Sequence, residues 1–171
     1  MTPLALGDWR DFYVMIGTAS GAIVGASFIV ASLASGVKER RVGMRGFISP
    51  TTVHLASVLV GSAILSVPKV HGLAVSLLLG AGGLAGAIYG IIVVTRIWSM
   101  KLGIEDWFFY ALLPVVAYSA IATAAVMIVM GLDSPLYVLA GALILLLIIG
   151  MRNAWDMATF LITRDREQNQ P

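Results

Sequence analysis

His54 and His71 are the residues of this chain best suited to proton transfer or metal ligation, and their placement argues against the second role. His54 lies about one turn inside an apolar run that opens after Ser49–Pro50. His71 sits in the short connection "PKVHG", residues 68–72, that leads to the next apolar run. From residue 54 to residue 68 a helix rises about 21 Å at ~1.5 Å per residue. Antiparallel packing of the two runs therefore sends the rings to opposite ends, and one haem iron or zinc cannot take both. Cysteine is absent, which removes thiolate ligands and disulfides. No metal or cofactor is expected. For His54 there remains a hydrogen bond to a neighbour near the headgroup level, with proton sensing as the functional alternative, because only histidine has an unperturbed pKa close to neutrality. His71 is read as capping or decorating the hairpin.

The carboxylates fall in three aromatic-acidic clusters: "DWRDF" at 8–12, "EDWFFY" at 105–110 and "NAWD" at 153–156. Trp and Tyr favour the membrane–water interface, and an acid at the start of a helix complements its amino terminus, as Asp8 or Asp11 and Asp106 would. Arg152 and Asp156 are four apart, the spacing of an ion pair along one helix face. His54, Arg96, Asp106, Arg152 and Asp156 are thus the candidates for a polar network, structural in the first reading and gating or partner-binding in the second. Asp133 and Ser134 have no histidine nearby in sequence. No nucleophile–base–acid set, phosphate-cradling glycine loop or zinc motif occurs, and the chain is not expected to be an enzyme.

The elements that must position these residues are apolar. Hydrophobic residues make up 59% of the chain and charged residues 12%, with mean hydropathy +0.94, against about half and a quarter in soluble domains. Five stretches are long enough to cross a hydrocarbon layer, which takes about 20 residues: approximately 12–36, 50–67, 70–95, 107–130 and 134–151. The last is expected to continue as a juxtamembrane helix to about 164, ahead of a short frayed tail. Pro50 suits a first helical turn, Pro114 a kink inside the fourth run, and the proline and glycine of "PKVHG" a tight hairpin. The first run follows Asp8, Arg10 and Asp11 with no basic region, so it is expected to stay in the mature protein. The loops are too short to hold a soluble domain.

Charge then orients the bundle. Lys38, Arg40, Arg41, Arg45, Arg96, Lys101, Arg152, Arg164 and Arg166 fall on one side of a five-span arrangement, leaving Arg10 and Lys69 opposite. The positive-inside rule puts the amino end outside and the carboxyl end in the cytoplasm. Because the basic residues flank hydrophobic runs, the pI near 9.2 is not a sign of nucleic-acid binding.

Glycine repeats at every fourth position in two runs: Gly17, Gly21 and Gly25 in "GTASGAIVG", and Gly82, Gly86 and Gly90 in "GAGGLAGAIYG", residues 80–90. Glycine lets membrane helices approach closely and recover dispersion contacts. These glycine-zipper faces are expected to carry helix packing inside one subunit, contacts between subunits, or a groove occupied by a substrate or lipid. The Ser and Thr residues of the first run form no continuous stripe, so a pore is not legible there.

The opening "DWRDFYVMIGTASGAIVGASFIVAS", residues 8–32, is similar to the start of a group of small, uncharacterised bacterial multi-pass membrane proteins, and "RNAWD", residues 152–156, carries a shorter similarity. The resemblance implies a bacterial inner-membrane setting and brings no active residues. The expected fold is an all-α integral membrane bundle of five transmembrane helices forming one domain over 1–171. The leading functional expectation is a homo-oligomer forming a channel or small-solute passage. The alternative is a non-catalytic scaffold or accessory protein that binds lipid or a membrane-protein partner. Coupled transport is disfavoured, since only Pro114 suggests a broken helix.

Overall fold

The computed structural model describes residues 6–34, 41–97 and 107–168, and all regular structure in them is helical. Five helices follow in chain order: α1 (Leu6–Ala34), α2 (Arg41–Ser66), α3 (Gly72–Ile97), α4 (Leu113–Met130) and α5 (Pro135–Gln168), with a π-helical turn at Phe108–Leu112 leading into α4. Four stretches are long and apolar enough to cross a membrane: Leu6–Val30, Gly72–Thr95, Phe108–Met130 and Pro135–Asp156. The apolar part of α2, Pro50–Ser66, is shorter. Large side chains such as Phe28, Leu77, Leu84 and Ile88 stand exposed on the outside of the bundle. Helices apolar on their outward faces as well as inward belong in lipid, so the chain is a multi-pass helical membrane protein.

Helix ends and apolar boundaries do not coincide. α1 starts at Leu6, taking in the Asp8–Asp11 segment expected before it. α2 starts at Arg41 and runs through Pro50, so that proline is interior and not in the first turn. Apolarity marks where a helix enters hydrocarbon, whereas hydrogen bonding can extend it into the polar region beyond. The same reason explains α5, which continues as one helix past the expected residue 164 to Gln168. Pro114 brings a π-helical turn with it. Proline lacks an N–H and its ring clashes with the carbonyl four residues back; the turn before it widens, and the Leu113 N–H reaches the Phe108 carbonyl instead. At the other end of α4, Gly131 takes a left-handed conformation (φ 66°). Its N–H bonds the Ile128 carbonyl while Leu132 N–H bonds that of Met127 at 3.0 Å, closing the helix in a Schellman motif.

α5 is the centre of the bundle and packs on α4, α2 and α1. Its inward residues Leu139, Leu143, Leu146 and Ile149 are fully or almost fully buried and recur at helical spacing. α3 packs mainly on α4, and α1 on α2. Polar side chains bond across these seams. Ser20 donates to the Leu55 carbonyl at 2.6 Å, Ser76 to that of Ala125 at 2.6 Å, and Tyr13 to that of Leu136 at 3.0 Å. Around Tyr13, the Trp9 ring meets Tyr137 edge-on at 4.6 Å between centroids, tying the start of α1 to that of α5.

Candidate functional site

The polar centre of the bundle is built from α2 and α4. His54 Nδ1 lies 3.0 Å from the Tyr118 hydroxyl, and Ser57 Oγ lies 3.0 Å from the same oxygen. Ser57 Oγ is also 2.8 Å from the Val53 carbonyl oxygen. Each hydroxyl has one proton to give, so two chains of bonds fit these distances. In one, Ser57 donates to Val53, Tyr118 to Ser57 and His54 Nδ1–H to Tyr118; in the other, Ser57 donates to Tyr118 and Tyr118 to an unprotonated His54 Nδ1. His54 and Tyr118 are 2% and 1% exposed. Counted at ~1.5 Å per residue, both lie about 18 Å from the ends of their helices at Ser66 and Met130. From the other end, His54 is about 6 Å along from Pro50, where the apolar part of α2 begins.

Glycine on α3 makes room for this centre. A Cβ at Gly86 would overlap the Tyr118 ring, lying 2.6 Å from Cγ. At Gly83 it would meet the Ala122 backbone nitrogen at 2.7 Å, and at Gly90 Val115 Cγ2 at 2.9 Å. The α3 face against α4 is therefore Gly83, Gly86 and Gly90. Gly82 has nothing within 4 Å among the described residues. On α1, Gly17 is tight against Ser62 Cβ at 2.9 Å, Gly21 is in ordinary contact with Leu59 at 3.8 Å, and Gly25 meets nothing within 4 Å among the described residues. Gly150 on α5 accepts the Leu55 side chain, with Cγ 2.7 Å from its would-be Cβ.

Beside the polar centre, α2 and α3 stand apart and leave an apolar groove of about 320 Å³. Val53, Val60 and Ile64 line the α2 wall, Leu78 and Gly82 the α3 wall, and Tyr118, Ile121 and Leu143 lie beneath. Ser57 and Tyr118 bring the polar centre to its surface. The two walls are joined by the hairpin after Ser66, where Lys69 takes a left-handed conformation (φ 53°).

The other expected polar residues form a separate cluster or fall outside view. Arg152 Nε lies 3.7 Å from Asp156 Oδ2, the i, i+4 approach that the sequence spacing suggests. Its guanidinium also stacks over the Phe109 ring at 3.7 Å, so the π-helical turn and α5 are joined by a cation–π contact. Arg96 belongs to α3 but its side chain is outside the described residues, as are Asp106 and Lys101. Asn153, one turn along from Gly150, is 2% exposed, and neither end of its amide has a hydrogen-bond partner. No group of three or more His, Cys, Asp or Glu able to hold a metal occurs among the described residues. The sequence reading passed over Tyr118, Ser57, Gly83 and Asn153. The available signal was a tyrosine in the middle of an apolar run, far from the interface where that residue is usual.

Fold and site define an all-helical membrane bundle with a buried histidine–tyrosine–serine chain beside an apolar groove. No family model, curated protein or solved structure matches the chain.

Proposed function

We propose that this protein is a non-catalytic membrane protein, an accessory or scaffold component, whose working site is the groove between α2 and α3 and whose occupant is the acyl chain of a lipid. The observation that carries the reading is the size of the groove. Its α2 wall, from Val53 to Ile64, covers about 16 Å of helix, close to the ~15 Å depth of one leaflet's hydrocarbon. A partner helix about 10 Å across would occupy on the order of 1,200 Å³ over that length, more than the 820 Å³ or so of empty space between the walls with its open side included. A single acyl chain has the right length and a thin enough section. Five crossings, with the amino end outside a bacterial inner membrane, complete the proposal, supported by the charge asymmetry of the loops.

The channel reading lacks comparable support. The residues along the middle of the chain, Leu139, Leu143, Leu146 and Ile149 on α5 with Tyr118 on α4, are large and buried. A conduit would have to run between subunits of a homo-oligomer. The test is native mass spectrometry of the protein released from nanodiscs. Retained lipid in the wild type, lost in Gly82→Leu with folding intact, supports the acyl-chain reading. A lipid-free wild type that passes ions or small solutes in proteoliposomes overturns it in favour of the channel.

A further inference from the structure

Resting on that reading, we propose that the groove selects an anionic phospholipid from the leaflet on the side of the α2–α3 hairpin, with Lys69 holding the phosphate and one acyl chain descending toward Tyr118. The argument starts from the two ends of the groove. Ile64 is two residues from the end of α2, so the groove begins close to where the helix leaves hydrocarbon. The connection that joins its walls there, Val67 to His71, carries Lys69 and His71, both exposed. The other charged residues described on that face, Asp8, Arg10, Asp11 and Asp133, belong to the start of α1 and to the α4–α5 loop. Lys69 is therefore the cation of the segment that bridges the groove's walls. Its left-handed backbone (φ 53°), following Pro68, fixes the turn that carries it.

The deep end gives the complementary limit. Ser57 and Tyr118 are in the lining, but in either chain of bonds their protons are already committed to partners inside the bundle. A group seated there is offered no free hydroxyl proton, which suits a hydrocarbon tail and not a polar head. Charge at the hairpin and apolarity below give the groove a direction: phosphate at Lys69, chain pointing inward. Its length of about 16 Å from Ile64 to Val53 carries one chain of a diacyl lipid through its leaflet, and the second chain lies outside against the exposed residues of α3.

The experiment uses the full chain in nanodiscs of equal dioleoyl phosphatidylglycerol and dioleoyl phosphatidylethanolamine, followed by native mass spectrometry of what stays bound. The expected result is retention of one lipid with phosphatidylglycerol enriched about fivefold, the worth of one lysine near an anionic group. Lys69→Gln is expected to keep the bound lipid but bring the two headgroups to near parity. Gly82→Leu fills the groove where nothing lies within 4 Å of the glycine, and is expected to lose the lipid of either class. Retention by Gly82→Leu of as much lipid as the wild type, or none in the wild type, overturns both the groove reading and this one. Lipid retained by the wild type and lost in Gly82→Leu, but without headgroup preference or with a preference that Lys69→Gln leaves unchanged, overturns only the selection by Lys69.

Discussion

Substituting Gly86 with alanine tests the construction of the bundle's polar centre at one methyl group's cost. The added Cβ would overlap the Tyr118 ring, with Cγ at 2.6 Å, so ring or helix must shift. Forcing a methyl into a packed seam costs about 1–3 kcal/mol. Displacing the ring also strains the Tyr118 hydroxyl's bonds with His54 and Ser57, each 3.0 Å long. Hydrogen bonds between membrane helices average about 0.6 kcal/mol each, so the pair adds about 1 kcal/mol. Alanine returns up to about 1 kcal/mol of helix propensity. The expected net loss is about 1–4 kcal/mol.

Gly82→Ala is the matched control. It lies on the same helix one turn away with nothing within 4 Å, and the propensity gain stands alone, from zero to about 1 kcal/mol stabilising. Unfolding in mixed micelles, followed by helical circular dichroism, reads both variants on one scale. Tyr118→Ala in the Gly86→Ala background closes the cycle: with the ring gone, the extra methyl has room and its cost should vanish, so the two changes couple strongly. If Gly86→Ala proves as harmless as Gly82→Ala, the close seam between α3 and the Tyr118 ring is refuted.

Three further outcomes are expected from the same assay. Gly17→Ala should cost about 1–2 kcal/mol because its Cβ meets Ser62 Cβ at 2.9 Å, while Gly25→Ala should be neutral; equal effects would dissolve the distinction. Asp156→Asn should change stability by no more than about 0.5 kcal/mol, since the pair is 3.7 Å apart with both side chains partly exposed, and a loss above 1 kcal/mol would contradict that. Asn153→Leu should be neutral or stabilise by up to about 2 kcal/mol, because it replaces an amide with no partner at either end by an apolar group of similar size; a clear loss would mean that the amide holds an ordered water.

The helices were legible because charge-free apolar runs of membrane length have few other readings. The glycine faces were legible only in part, and helix geometry says why. Four residues turn a helix by about 400°, so a strict every-fourth repeat drifts about 40° per step and about 80° over three glycines. One end of such a series faces the neighbour and the other faces away. In α1 the series runs from Gly17, tight on Ser62, through Gly21 at 3.8 Å to open Gly25. In α3 it runs the other way, from open Gly82 to the crowded Gly86 and Gly90. The position that keeps the α3 face is Gly83, three before Gly86. Spacing also fixed the approach of Arg152 to Asp156, a local matter. It had no means to supply Phe109 for Arg152 or Tyr118 for His54, because those partners come from other helices.

The groove follows from how α3 uses its small residues. A helix can bring its backbone close to a neighbour along one face, and Gly83, Gly86 and Gly90 commit that face of α3 to α4. The short hairpin holds the adjoining ends of α2 and α3 together, yet α2 finds its close seams elsewhere, Gly17 of α1 against its Ser62 and its own Leu55 against Gly150 of α5. Two helices joined by a few residues are thus drawn to different partners, and the space between them is floored by α4 and α5. Tyr118 can stand at that opening because Gly86 has no side chain to displace it, and its hydroxyl is held by the two α2 residues that face it. The same glycine that packs α3 onto α4 therefore positions Tyr118, which belongs both to the polar centre and to the groove's lining. Enlarging Gly86 should disturb both at once, whereas enlarging Gly82 should fill the groove and leave the His54–Tyr118–Ser57 chain intact.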